Sequence, residues 1–203
     1  FGGTMLVTTD KANVPGTFLN TDLMVGSFGT FRATGGIRSD WSKGNVAVQY
    51  THIGSDGYRD MSNTNSNVYN LFGQYFIGTK STLSYLINYE NRDMNISGDL
   101  DSLTFYNAPK TANTIQPTKF GPNKITGGIG YKHRINENWS LNAGVNYINN
   151  KGKFILTFPF FGVYDEEPSQ SLLARATVTY QKQIGASRLK LNTGIETGRS
   201  KDK

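Results

Sequence analysis

Residues 139 to 147, Trp-Ser-Leu-Asn-Ala-Gly-Val-Asn-Tyr, alternate apolar and polar positions without a break. Successive side chains of an extended chain point to opposite faces, so this alternation predicts a strand whose two faces meet different surroundings. The pattern recurs. Leu23 and Val25 share one face with Thr21, and Phe31, Ala33, Gly35 and Ile37 alternate with Arg32, Thr34, Gly36 and Arg38. Val46, Val48 and Tyr50 follow, then Leu71, Gly73, Tyr75 and Ile77, a less clean strand because Phe72 and Phe76 sit on its polar face. Leu83, Tyr85, Ile87 and Tyr89 restore the pattern, as do Ile125, Ile129 and Tyr131. Leu172, Ala174, Ala176, Val178 and Tyr180, then Leu189, Leu191 and Ile195, complete it. The prediction is about nine strands in an antiparallel meander, with no helix.

The connections carry a second period. Short turns are predicted at 39 to 45, 78 to 81, 135 to 138 and 184 to 187, and long connections at 54 to 66, 92 to 122 and 150 to 170. Because short and long alternate, one rim of the sheet is plain and the other elaborate. The Gly-Ser-Phe-Gly turn at 26 to 29 is short on the elaborate side.

The polar face is mostly Thr, Asn, Ser, Gln and Gly, unlike the Lys- and Glu-rich outer face of a soluble sandwich. The apolar face ends repeatedly in Tyr, at Tyr50, Tyr89, Tyr131, Tyr147 and Tyr180, while Trp41 and Trp139 lie beside short turns. Aromatic residues bordering an apolar band are what membrane interfaces select. The pattern therefore favours a transmembrane barrel, lipid outside and a polar lumen inside, over a soluble β-sandwich binding module. The chain has no apolar run of 18 residues, but barrel strands need only about ten alternating residues each. An odd strand count suggests a piece of a larger barrel, since bacterial single-chain barrels have even numbers.

Charge and composition narrow the chemistry. The 203 residues carry a net charge of +6 and no cysteine, which excludes disulfides and thiol catalysis. Arg32, Arg38, Lys124, Lys132, Arg175 and Lys190 fall on the polar face and account for much of the positive charge without nucleic acid. His52 and His133 stand apart, each without the spaced partners of a metal site. Gly127 to Gly130 lie within a strand, not in a phosphate-binding loop, and Asp165, Glu166 and Glu167 read as a solvated loop tip. No nucleophile and base converge near one rim, so no enzyme and no cofactor are expected.

Two motifs resemble the TonB-dependent outer-membrane receptor family: Gly2 to Thr9, GGTMLVTT, and Ser55 to Asn63, SDGYRDMSN. The first is similar to the strand ending that family's plug domain, the second to a stretch early in its barrel. The resemblance implies the end of a plug over 1 to 14 and the first part of a barrel of about 22 strands over 15 to 203. It further implies short turns on the periplasmic side, long loops outside, and active uptake of a scarce nutrient, most often a ferric siderophore or other iron complex. The energy-coupling TonB complex would act through plug segments outside this sequence, and the outer-membrane lipid would surround the barrel. A passive porin or small structural barrel is the alternative.

Within this frame the aromatic segment 149 to 168 offers Phe154, Phe158, Phe160, Phe161 and Tyr164 as substrate-contact candidates, beside the plainer reading that its strands run on beyond the membrane. Segment 92 to 122 offers Arg92, Tyr106 and Lys110, whose cations suit an anionic chelate. Tyr58, Arg59, Arg32 and Arg175 are candidates for plug or lumen contacts, with an acidic group as the expected partner of Arg59.

Overall fold

The computed structural model describes residues 15–112, 118–157, 162–185 and 187–202; for 153–154, 156–157, 162–167 and 202 it describes the backbone alone. The predicted plug end, residues 1 to 14 with the GGTMLVTT motif, lies outside the described residues. The rest is one antiparallel sheet. Its strands are β1 (Gly16–Val25), β2 (Phe31–Trp41), β3 (Gly44–Ser55), β4 (Thr64–Ile77), β5 (Ser81–Ile96), β6 (Thr118–Phe120), β7 (Asn123–Arg134), β8 (Trp139–Thr157), β9 (Gly162–Ile184) and β10 (Ser187–Asp202). A single helix among the described residues, α1 (Ser102–Asn107), joins them.

The ten strands occupy nine lanes. Both β6 and β7 lie between β5 and β8, and the register against each neighbour is the same in both pieces. They are one strand interrupted at Gly121 and Pro122, where proline has no N–H to give the ladder. The Pro122 carbonyl still accepts from the Arg92 amide at 3.1 Å. The predicted count of about nine therefore matches the lanes.

No register slips in any of the pairings, so within each strand alternate residues keep to one face from end to end. One row runs Leu19, Ile37, Val48, Leu71, Ile87, Gly127, Tyr147, Leu172, apolar at every position but the glycine. The neighbouring row on the opposite face runs Asn20, Gly36, Gln49, Asn70, Asn88, Thr126. Burial is inverted relative to a soluble protein. The most buried described side chains are mainly polar, including Thr34, Asp40, Asn45 and Ser66 on the polar face, while Ile129 is 62% and Ile195 77% exposed on the apolar one. A sheet that exposes its apolar face and shelters its polar face is built for lipid on the first and a lumen on the second.

Aromatic residues bound the apolar band. At the long-loop side Tyr50, Tyr69 and Tyr89 are direct cross-strand neighbours, with ring centroids 4.9 and 6.0 Å apart. At the short-turn side Trp139 packs on Tyr180 at 4.9 Å, and Tyr75 and Tyr131 stand toward the same ends of their own strands. Trp139 and Tyr147 are eight residues apart, about 26 Å along the strand and about 20 Å across the membrane at a barrel's usual tilt.

Two expectations about connections change. The predicted loop 150 to 170 is mostly strand, because β8 continues to Thr157 and β9 begins at Gly162. The absence of helix is also corrected: α1 forms in the segment after β5, with Asp101 as its N-cap. In the full-length protein Ile87→Arg, on the apolar face, is expected to destabilise by about 2–4 kcal/mol and Asn88→Arg, next to it on the polar face, by far less. Urea unfolding of the two variants in the same bilayer measures the difference.

Candidate functional site

The long-loop rim is held together by a cluster of three loops. The first is the turn between β1 and β2, which places Phe28 at φ 59° and Gly29 at φ 63°. The second is the SDGYR segment between β3 and β4, and the third the α1 segment between β5 and β6. The amide of Asp56 donates to the Phe28 carbonyl at 2.9 Å, and the Phe28 and Tyr58 rings meet edge to face at 5.3 Å. Lys110 Nζ lies 6.0 Å from the Tyr58 ring centre, and the Asp60 amide donates to the Lys110 carbonyl at 2.7 Å.

Arg59 is the staple of this cluster. Its Nη1 donates to the Gly98 carbonyl at 2.8 Å, and its Nε and Nη2 donate to the Thr111 carbonyl at 3.2 and 3.0 Å. A longer contact reaches the Ser97 carbonyl at 3.4 Å. Both ends of the α1 segment are thereby tied to one guanidinium, whose rigid fork suits several acceptors at once. Among the described residues the hydrogen bonds of the Arg59 guanidinium go to these backbone carbonyls. The local chain is shaped for the purpose: Gly57 has φ 79°, where a side chain would strain the backbone, and an added Cβ would lie 2.1 Å from Ser62 Oγ. Ser62 Oγ accepts from the Arg59 amide at 3.1 Å and closes the turn.

On this platform α1 stands out from the sheet. Asp101 caps it, accepting from the Thr104 amide at 2.7 Å and from the Thr104 hydroxyl at 3.1 Å. These bonds hold the Asp101 carboxyl below its ordinary value, the amide of Thr104 being the larger cause. Because the folded carboxyl is the stronger acid, the cap's contribution is present at neutral pH and is lost as pH falls through its lowered value. Leu103, Phe105 and Tyr106 are exposed, Tyr106 at 82%, and the Phe105 and Tyr106 rings meet at 5.5 Å. Of the residues expected at a substrate rim, Tyr106 and Lys110 share this cluster, joined by Tyr58, which the sequence had suggested for the plug or lumen.

The remaining candidates lie elsewhere. Arg92 belongs to β5, not to a loop, and forms an ion pair with Glu90 at 2.6 Å. Its Nε and the Oγ of its cross-strand neighbour Ser66 are buried without a hydrogen-bond partner. Arg32 lies 3.9 Å from Asp22 and Arg175 pairs with Glu196, all four on the polar face of the sheet. Phe154 and Tyr164 fall on β8 and β9 by backbone, and Phe158, Phe160 and Phe161 lie outside the described residues. His52 and His133 are engaged with Asn67 and Ser81, and among the described residues no group of three metal-binding side chains occurs.

Sequence reasoning missed the inner apolar patch above the tyrosine row. Met94, Ile96 and Phe120 share the lumen face there, although lower down that face is polar. The signal was present as alternation in reverse phase, with Asn95 and Lys119 outward. A concavity of about 1000 Å³ lies at the opposite, short-turn end, lined by Gln74, Phe76, Thr82, Ser84, Lys132 and Asn142 among others, and is remote from the loop cluster.

Arg59→Ala is expected to free the α1 segment, raising hydrogen exchange at the Asp60 amide about tenfold, the loss of one charged hydrogen bond. Arg59→Lys should recover only part of the protection, because an ammonium cannot span the same carbonyls. Exchange measured by mass spectrometry in the full-length protein reads both.

No protein-family profile and no curated protein sequence matches this chain. Solved structures do. The ferric citrate transporter FecA in its unliganded form superposes with a TM-score of 0.75 at 13% identity, over 91% of this chain and 28% of its own. The siderophore receptor PiuA from Acinetobacter baumannii gives 0.74 at 14% identity, over 91% and 30%. The ferric-catecholate import receptor Fiu from E. coli K12, in its open form, gives 0.73 at 13%, over 95% and 35%. The chain thus spans about a third of the length of such receptors, and at these identities the likeness is one of fold. Its sheet has the fold of part of the barrel wall of TonB-dependent siderophore receptors.

Proposed function

We propose that this chain forms the first part of the barrel, with its outer rim, of a TonB-dependent outer-membrane receptor that imports an iron complex, most specifically a ferric siderophore. The observation that carries the reading is the two-faced sheet with one elaborate rim, shared in fold with the ferric citrate, siderophore and ferric-catecholate receptors above. Residues 1 to 14 would be the end of the plug, and 15 to 203 the barrel.

Lipid cannot satisfy exposed backbone groups. The outer edges of β1 and β10, the two ends of the described sheet, therefore need further strands to close the barrel. The inward Arg32 and Arg175 would face the plug, and movement of that plug, driven by the TonB complex, would open the lumen. At the rim, Tyr106, Lys110 and Tyr58 offer flat aromatic area and a cation to an anionic iron chelate. The aromatic residues Phe154, Phe158, Phe160, Phe161 and Tyr164, with Arg92, are the further candidates. Import of this kind breaks no bond in the substrate and asks for no catalytic group or resident cofactor.

Deletion of the full gene should abolish growth on at least one ferric siderophore supplied as sole iron source. Unchanged growth on every ferric siderophore and on haem would contradict the iron reading. In the intact receptor Tyr106→Ala with Lys110→Ala should weaken binding of the transported complex about tenfold or more while leaving the amount of protein in the membrane unchanged. Equilibrium binding of the radiolabelled complex to whole cells measures it.

A further inference from the structure

On the lumen face one column of the wall is hollow. Where β5, β7 and β8 run side by side, successive cross-strand rows read Leu86, Gly128, Asn146, then Ser84, Gly130, Gly144, then Thr82, Lys132, Asn142. The lanes on either side keep bulk at these levels, with Phe72 and Phe76 on β4 and Leu173 on β9. The floor is low because polar side chains lie down on glycine. Ser84 Oγ donates to the Gly130 carbonyl at 3.2 Å, and a Cβ built on Gly130 would meet that oxygen at 2.7 Å. A Cβ on Gly128 would likewise meet Asn146 Oδ1 at 2.5 Å. This hollow is the concavity of about 1000 Å³ at the short-turn end, the upper part of the range of about 300 to 1000 Å³ found for small-molecule sites.

Its chemistry is one-sided. Hydroxyls of Thr82 and Ser84 and the amides of Gln74 and Asn142 line it, Lys132 is its cation, and none of the described residues lining it is acidic. Arg134, two residues further along β7 on the same face, sets a second cation at the mouth. The nearest lumen-face carboxylates are engaged elsewhere, Glu90 with Arg92 and Glu196 with Arg175. Cations and neutral donors without a carboxylate favour an anion over a neutral or cationic solute. Position adds a second argument. The α1 segment, which carries Tyr106 and Lys110, leaves β5 and re-enters the sheet on the lane of β6 and β7, so it stands at the head of this same column. Between rim and hollow the column continues through Lys124, Thr126 and Asn88.

We infer that this hollow is a second site for the anionic iron complex, at the periplasmic end of the wall, occupied after the rim and before release. The inference rests on the receptor reading above and adds a site to it. Donors on Thr82, Ser84 and Asn142 take the place of water around the oxygen atoms of the chelate, and Lys132 with Arg134 draws its charge toward the short-turn mouth. The side chains missing at Gly128, Gly130 and Gly144 leave the width that a bulky chelate needs.

The test compares binding with import in cells expressing the full-length receptor. Radioiron is offered as its citrate chelate, as a tricatecholate chelate and as a trihydroxamate chelate, the last without net charge. For an anionic chelate that the intact receptor imports, Lys132→Glu and Gly130→Trp are each expected to slow import about tenfold, while binding to de-energised cells stays within about twofold. Lys132→Arg should import normally, as should Gln49→Glu, which adds a carboxylate to the lumen face of β3 outside this column. Should Gly130→Trp fail to reach the membrane, Lys132→Glu, at an exposed position, decides alone. Unchanged import in Lys132→Glu, or an equal fall in binding and import, would overturn the inference and leave the receptor reading standing. So would leakage of a small fluorogenic dye through de-energised Lys132→Glu cells, the sign that Lys132 pairs with a plug carboxylate instead. Import of the uncharged chelate alone would have the same effect, and import of none of the three would overturn the inference while the growth test above decides the receptor reading.

Discussion

The unbroken antiparallel ladder is the constraint on which the other features depend. In hydrocarbon every backbone N–H and C=O must find a partner inside the protein, and in a sheet only the lateral neighbours supply it. Because the register is constant within every pairing, no bulge rotates a strand, and alternate residues of each strand stay on one face over nine lanes. The apolar row from Leu19 to Leu172 and the polar row beside it follow from that regularity. A slip of one residue in a single strand would turn its leucines into the lumen and its asparagines into lipid.

The same ladder explains how the rim can be both elaborate and ordered. Long loops lose much conformational entropy when fixed, and hydrophobic burial on so small a scale offers little to offset it. Backbone carbonyls gathered on Arg59 supply the missing constraint. One guanidinium ties Gly98 to Thr111 across the α1 segment, while Phe28, Tyr58 and Lys110 stack beside it. An exposed aromatic such as Tyr106 is then presented from a held base instead of from a free coil.

The faces were legible from the sequence because a period of two is read directly from residue types, and most strands keep it below the tyrosine row, β4 with its inward Phe72 and Phe76 being the least clean. What was not legible has separate causes. Strand ends were set too early at 92 and 150, because above the tyrosine row the alternation reverses phase: Ile96 and Phe120 turn inward, Asn95 and Lys119 outward. A reading tuned to apolar-outward alternation stops there and reports a loop. The split at Pro122 was missed because a single missing donor interrupts the ladder without changing its register. Helix α1 was missed because six residues, fewer than two turns, have no periodicity to detect, although Asp101 at the N-cap is a start signal. Tyr58, Arg59, Tyr106 and Lys110 were found as residues, but only the fold brings their loops together, since contacts 38 to 52 residues apart leave no trace in a single sequence.

The central claim is that adjacent residues of one strand face lipid and lumen in turn, and it is most directly tested at Val145 and Asn146 on β8. Spin labels placed singly at these positions in the full-length protein, in bilayers, are to be compared for collision with a lipid-soluble and a water-soluble quencher. The account predicts that the label at 145 is reached preferentially by the lipid-soluble quencher and the label at 146 is shielded from it. Equal quenching at the two positions would contradict it.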